Sequence, residues 1–265
     1  MQWRRIFRSR GFWLAVIIQC FAYLYPHMDT NDFWFTPLEY FGSADLLYFF
    51  LMPRTYGLCI FLIPFVAVLP ASTFIAEDIQ SGYIRCLLQR TGKIRYLRTR
   101  ILQAAAGAAM ASLLGSFIYL GFIMLACPWN DNILTSWREV MSQGNYAPLI
   151  QSAYGFPAIA EGISRFCIEA MTWSFLGFAF ACWFKNTGLA LALTFMAHYG
   201  LTYIFETYPS LFNYSPSTIA VPDIATAVPL LSYYLMQFAY LGITLLIGLI
   251  AATCISQKLA ARNIY

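Results

Sequence analysis

The sequence predicts an all-α integral membrane protein with six transmembrane helices. Three observations carry that prediction. Apolar runs that approach or exceed the ~18 residues read as a membrane span recur along the chain. Mean hydropathy is +0.62, and charged residues fill only 11% of 265 positions, against about 25% in a typical soluble domain. The remaining charges are sorted between the segments that separate the apolar runs. A transmembrane barrel would show short alternating segments, whereas these runs are continuously apolar. The whole of residues 1–265 is expected to form a single transmembrane domain.

In chain order, Trp3, Ile6 and Phe7 recur at helical spacing, with Arg4, Arg5, Arg8 and Arg10 on the remaining face. That is the pattern of a short helix lying in the membrane interface, or of a basic flank that orients the first span. No small-residue cleavage site follows the first apolar run, so a removable leader is not expected. Six spans are predicted at about 11–25, 55–76, 101–126, 163–184, 187–208 and 230–255. The second contains Pro64 and Pro70, each of which removes a helical hydrogen bond and kinks the span. The third carries Gly107, Ala111 and Gly115 on one face, a small-residue stripe suited to close helix packing. Acidic loops follow spans 1 and 3, Lys185-Asn186 forms a tight turn between spans 4 and 5, and a proline-bearing loop with Pro209, Pro216, Pro222 and Pro229 precedes span 6. The seven cysteines are scattered without a CxxC or Cys/His cluster, so neither a disulfide framework nor a metal site is expected.

Lysine and arginine mark the cytoplasmic side of a membrane protein. With the N-terminus inside, the cytoplasmic segments hold Arg4, Arg5, Arg8, Arg10, Arg85, Arg90, Lys93, Arg95, Arg98, Arg100, Lys185, Lys258 and Arg262, which is 13 of the 16 basic residues. Both termini and the 77–100 segment are therefore expected in the cytoplasm. Among the acidic residues, Glu77 and Asp78 are the clear exceptions to the opposite sorting.

The 74–100 stretch is the longest markedly polar run in the chain. Ile79, Tyr83, Cys86 and Leu87 form an apolar stripe at helical spacing, Thr91-Gly92 breaks the helix, and Ile94, Leu97 and Ile101 restart it. One reading is a basic loop that only orients the chain and contacts lipid. Orientation alone needs no amphipathic segment headed by two acids, and a docking surface for a cytoplasmic partner accounts for both features.

Phe74, Glu77, Ser81-Gly82-Tyr83 and Arg85, followed by Tyr96 and Arg100, resemble the stretch between spans 2 and 3 of the permease subunits of type-2 ABC exporters. In that family a phenylalanine and a glutamate end span 2, and a short coupling helix then docks into a separate ATPase subunit. The resemblance extends to the interfacial N-terminal helix, the six-span layout and the loop before span 6. Two positions depart from the pattern: Thr91-Gly92 stands where the family has a proline, and Thr99-Arg100 where it has Gly-Lys. The resemblance implies that Phe74, Glu77, Asp78, Ser81, Gly82, Tyr83 and Arg85 couple the chain to its ATPase. It also implies a cell-membrane permease that exports substrate as a dimer or beside a sister permease, with ATP and Mg held only by the partner. Thr91-Gly92-Lys93 is not a phosphate-binding loop, because no glycine lies five residues before Gly92. No cofactor, metal or nucleic acid is expected on this chain, and membrane lipid is its expected surroundings.

Within the predicted spans, Thr194, His198, Thr202 and Glu206 fall at four-residue steps along one face, and Glu169 lies in span 4. Intramembrane ionisable groups are costly and face the interior or a pathway. This face either lines a translocation route or hydrogen-bonds between helices. An ATP-independent transporter or channel is the alternative class, although the two halves show none of the internal similarity expected of inverted repeats. A more remote alternative is an intramembrane CAAX-type protease. Against it, Ala160 precedes Glu161 where that class has a glutamate pair, Phe195 and His198 are spaced one residue short, and His27 is the only other histidine.

Overall fold

The chain folds as an all-helical bundle, seen in a computed structural model that describes residues 3–28, 50, 57–126, 149, 156–208, 210–217 and 230–261. No strand occurs among the described residues. The helices are α1 (Arg4–Arg8), α2 (Arg10–Met28), α3 (Gly57–Val68), α4 (Phe74–Gln80), α5 (Tyr83–Thr91), α6 (Lys93–Ala126), α7 (Phe156–Phe184), α8 (Thr187–Thr207) and α9 (Leu230–Ala261), with a 3-10 turn at Phe212–Tyr214.

Four of these, α6 to α9, are long and apolar enough to cross a membrane; Arg10–Leu24 in α2 and Leu58–Val68 in α3 are shorter apolar stretches. α7 is the central helix and packs against α3, α4, α6, α8 and α9. Its sequence is apolar nearly all round, as burial on every side demands, and Trp173, Phe166 and Phe178 are fully enclosed. By contrast, α9 turns Leu231, Leu235, Phe238, Leu246 and Ile250 outward, and α6 exposes Phe117, Ile118 and Leu125. Apolar exposure on this scale is what lipid, rather than water, solvates.

The predicted small-residue face of α6 is where other segments come close. Ala111 is fully buried, Gly107 packs under Pro70 and Ala71, and Gly115 lies under the Gln19 side chain of α2. Farther along, Tyr119 stacks on Tyr23 with ring centroids 4.7 Å apart.

Three predicted boundaries are corrected. The second apolar run is not one helix to residue 76: α3 includes Pro64 but ends at Val68, and α4 begins only at Phe74. Pro70 cannot supply an amide to continue the helix. Ser72 holds the turn by donating to the carbonyls of Ala67 (3.3 Å) and Ser174 (3.0 Å). α7 begins at Phe156, ahead of the predicted Ile163, because Glu161 and Arg165 pair across one helical turn and can be buried together. Finally, the stripe of Ile79, Tyr83, Cys86 and Leu87 does not share one helix. Gly82 (φ 70°) ends α4, so Ile84 and Leu87 form the buried face of α5, while Tyr83 and Cys86 are exposed.

Both breaks around α5 use glycine in the left-handed region, Gly82 at φ 70° and Gly92 at φ 73°. Ser81 accompanies the first, its hydroxyl donating to the Glu77 carbonyl at 2.8 Å. Nothing crowds a Cβ at either glycine, so the cost of substitution is conformational alone. Gly82→Ala and Gly92→Ala are each expected to cost about 1–2 kcal/mol, read as a lower melting temperature of the purified protein in detergent. An unchanged melting temperature would mean that these turns relax freely.

Candidate functional site: an ion-paired junction around Asp78

Phe74, Glu77 and Asp78 lie on α4, a seven-residue helix wedged between α1 and the start of α6. Three residues from distant parts of the chain converge on Asp78, whose side chain is 1% exposed. Arg5 of α1 donates from Nη1 to Asp78 Oδ1 at 2.7 Å and from Nη2 to Glu77 Oε2 at 2.9 Å. On the other side, the Tyr96 hydroxyl donates to Asp78 Oδ2 at 2.7 Å. Arg100, buried at 3% exposure, forms an ion pair with the same oxygen, and its Nη1 donates to Gln103 Oε1 at 2.7 Å. The Phe74 ring lies beneath both guanidinium groups, 4.5 Å from Arg5 and 5.8 Å from Arg100.

Two arginines face two carboxylates, so the junction is close to neutral as a unit. That balance makes burial tolerable, since an isolated buried ion would be prohibitively costly. Burial works against the Arg5 charge, but the carboxylates of Asp78 and Glu77 outweigh it and raise its pKa further above the ordinary value. Arg5 therefore stays charged at any working pH. Mechanically, α1, α4 and the base of α6 are tied together, with α5 as the hinged segment between the last two. Gln80 Nε2 adds a tie from the end of α4 to the Lys185 carbonyl at 2.6 Å, in the turn between α7 and α8. The N-terminal helix, the 74–100 segment and the Lys185 turn thus meet at one end of the bundle.

Of the remaining expected coupling residues, Ser81 and Gly82 form the exposed link between α4 and α5, and Tyr83 is the exposed first residue of α5. Arg85 lies within α5; its side chain is outside the described residues. Arg5 was not foreseen as a site residue. Asp78 was expected as a coupling residue through the resemblance, Tyr96 was noted only for the resemblance, and Arg100 for the resemblance and the cytoplasmic charge count; none was expected to form an ionic cluster. Their sequence separations from Asp78, 73 for Arg5, 18 for Tyr96 and 22 for Arg100, leave no local pattern to reveal the cluster.

The polar residues noted in the predicted spans divide into two groups. Glu169 and His198 meet through Trp173: its Nε1 donates to Glu169 Oε1 at 2.5 Å, and its ring meets His198 edge-on with centroids 4.7 Å apart. All three are at most 3% exposed. Thr194 is buried beside Gly177 of α7, its hydroxyl returned to the Ala190 carbonyl at 2.7 Å. Thr202 is only half-buried, and Glu206 is exposed at the far end of α8. There Glu206 accepts from Ser217 at 2.5 Å and from Ser215 at 3.5 Å, fastening the segment after the helix. Two further residues, Glu161, weighed above only for the protease alternative, and Arg165, had no assigned role. They form a buried ion pair in α7, with the Arg165 guanidinium 4.4 Å over the Tyr234 ring of α9; opposite charges four residues apart on a helix were the available signal.

These observations define an all-helical protein with membrane-length apolar helices and a buried ionic junction at one end of its bundle. No protein-family model matches the chain, and neither a curated protein nor a solved structure matches it.

Proposed function

We propose that this chain is the membrane-spanning permease subunit of a type-2 ABC transporter. In this reading it crosses the cell membrane six times with both termini in the cytoplasm, works as a dimer or with a sister permease, and exports substrate using ATP hydrolysed by a separate subunit. The observation that carries the proposal is α5. It is a short helix set between two left-handed glycines, and its buried Ile84 and Leu87 share one apolar cluster with Ile75 and Ala76 of α4 and Tyr96 of α6. An ATPase that grips the exposed side of α5 pulls on α4 and α6 together, because Asp78 joins them. Arg5 passes the same displacement to α1. Movement of α6 then reaches α7, its principal packing partner, and so the centre of the bundle. The gathering of the N-terminal arginines, the 74–100 segment and Lys185 at one end supports placing that end in the cytoplasm.

The test is co-purification with an ABC ATPase encoded beside this chain, followed by measurement of permease-dependent ATP hydrolysis. Glu77→Ala and Arg85→Ala are each expected to lower the apparent affinity for the ATPase about ten-fold, the equivalent of roughly 1.4 kcal/mol. If both variants bind and stimulate the ATPase as the wild type does, the coupling assignment fails. If no such ATPase associates with the wild type, the transporter class itself fails.

A further inference from the structure

A cleft of about 560 Å³ opens at the junction end of the bundle, bordered by α1, the start of α2, the turn after α3, α4 and the first turn of α8. Its polar lining is unusually cationic. Arg5, Arg8 and Arg10 all border it, against Glu77 as the one acid among the lining residues. Glu77 is already engaged by Arg5, while Arg8 and Arg10 are exposed and make no ion pair with the described residues. Ser9 is held in place as the cap of α2: its hydroxyl accepts from the Phe12 amide at 3.1 Å and donates to the Ile6 carbonyl at 2.9 Å. Asn186 caps α8 by accepting from the Leu189 amide at 3.1 Å, which leaves the Thr187 and Gly188 amides of the lining outside that cap. Apart from Gly11 and Thr73, the other lining is apolar: Val68, Leu69, Phe74 and Leu191.

We infer that this cleft binds a phosphate-bearing anion, and that the anion is the head group of an acidic phospholipid. Two guanidinium groups with no ion pair among the described residues, beside a third held by its own carboxylates, suit a phosphate through charge-assisted hydrogen bonds. The lipid source is favoured over free phosphate by the apolar part of the lining, which has no use for a fully hydrated ion but accepts an acyl chain. It is favoured also by the surroundings, since Trp3, just before α1, Phe7 of α1, and Trp13 and Ile17 of α2 are exposed in the manner of an interfacial anchor. A bound head group would brace α1 against α8, two elements the Asp78 junction does not itself connect. The inference rests on the membrane placement of the chain and is independent of whether an ATPase partner exists.

The experiment is native mass spectrometry of the full chain in neutral detergent, titrated with phosphatidylglycerol, with phosphatidylcholine and with inorganic phosphate. Phosphatidylglycerol is expected to bind with defined stoichiometry and phosphatidylcholine more weakly. The double variant Arg8→Gln/Arg10→Gln is expected to weaken phosphatidylglycerol binding by about ten-fold or more. Arg95→Gln/Arg98→Gln, which removes two exposed charges outside the cleft lining, is expected to change it by less than about two-fold. Thr187→Trp narrows the cleft without altering charge and is expected to weaken binding as well, which keeps the test decisive should the arginine variant fold poorly. Equal losses in the two arginine pairs would overturn the site in favour of diffuse surface attraction. Inorganic phosphate binding as tightly as phosphatidylglycerol, with the same dependence on Arg8 and Arg10, would overturn the lipid assignment. Retention of full phosphatidylglycerol affinity by Thr187→Trp would place the ligand elsewhere.

Discussion

Asp78→Ala is expected to destabilise the protein by about 3–5 kcal/mol, the range for breaking a buried ion pair from one side. The substitution leaves the Arg100 guanidinium buried at 3% exposure without its counter-ion. It also strips the Tyr96 hydroxyl of its acceptor and Arg5 of one of its two carboxylates. The Arg5–Glu77 contact, with side chains 34% and 44% exposed, persists but is water-screened and contributes little. The double variant Asp78→Leu/Arg100→Met removes both buried charges and keeps apolar bulk, so it is expected to recover the larger part of the loss. Unfolding in a detergent titration measures all three proteins. A loss below about 1 kcal/mol for Asp78→Ala, the level of a single ordinary hydrogen bond, would show that the junction does not hold α1, α4 and α6 together.

Gly11→Ala is expected to destabilise by about 1–3 kcal/mol, the usual range for overpacking. Gly11 opens α2 against the end of α3, and a Cβ there would overlap the Leu69 carbonyl oxygen. The obstacle is backbone, so no rotamer change relieves it, and α2 must back away from the turn at 69–73. In a helix, alanine is otherwise favoured over glycine by up to about 1 kcal/mol, and the clash must outweigh that gain. Gly121→Ala in α6 is the control: nothing lies within 4 Å of its Cβ, so the propensity gain is unopposed and the variant is expected to be neutral or slightly more stable. Melting temperatures of the two variants compared with wild type decide the matter. Equal behaviour would show that the approach of Gly11 to Leu69 carries no packing constraint.

The long helices were legible because each is specified locally. α8 spans Thr187–Thr207, close to the predicted 187–208, since Asn186 caps its start with its own side chain and Lys185 takes up a φ of 55° in the turn before it. α9 begins at Leu230, as the apolar pattern requires. The errors fall at the ends of spans, where interactions with other parts of the helix or fold override local hydropathy. Glu161 fell in the predicted loop before span 4, but its pairing with Arg165 within one helical turn lets α7 begin earlier and run through it. Leu69–Thr73 looked like span, but Pro70 and the Ser72 bonds end the helix there.

Composition and charge order alone thus determined the helical class, the apolar runs and the polar 74–100 segment, because hydropathy and helix capping act over a few neighbouring residues. Only the tertiary structure decided what that segment does internally. Asp78 finds Arg5, Tyr96 and Arg100 through packing of α1 and α6 against α4, and Arg8 and Arg10 border a cleft only because the first turn of α8 comes to lie beside them. A buried charge must find its counter-charge wherever the fold brings one, and that distance is not written in any local spacing.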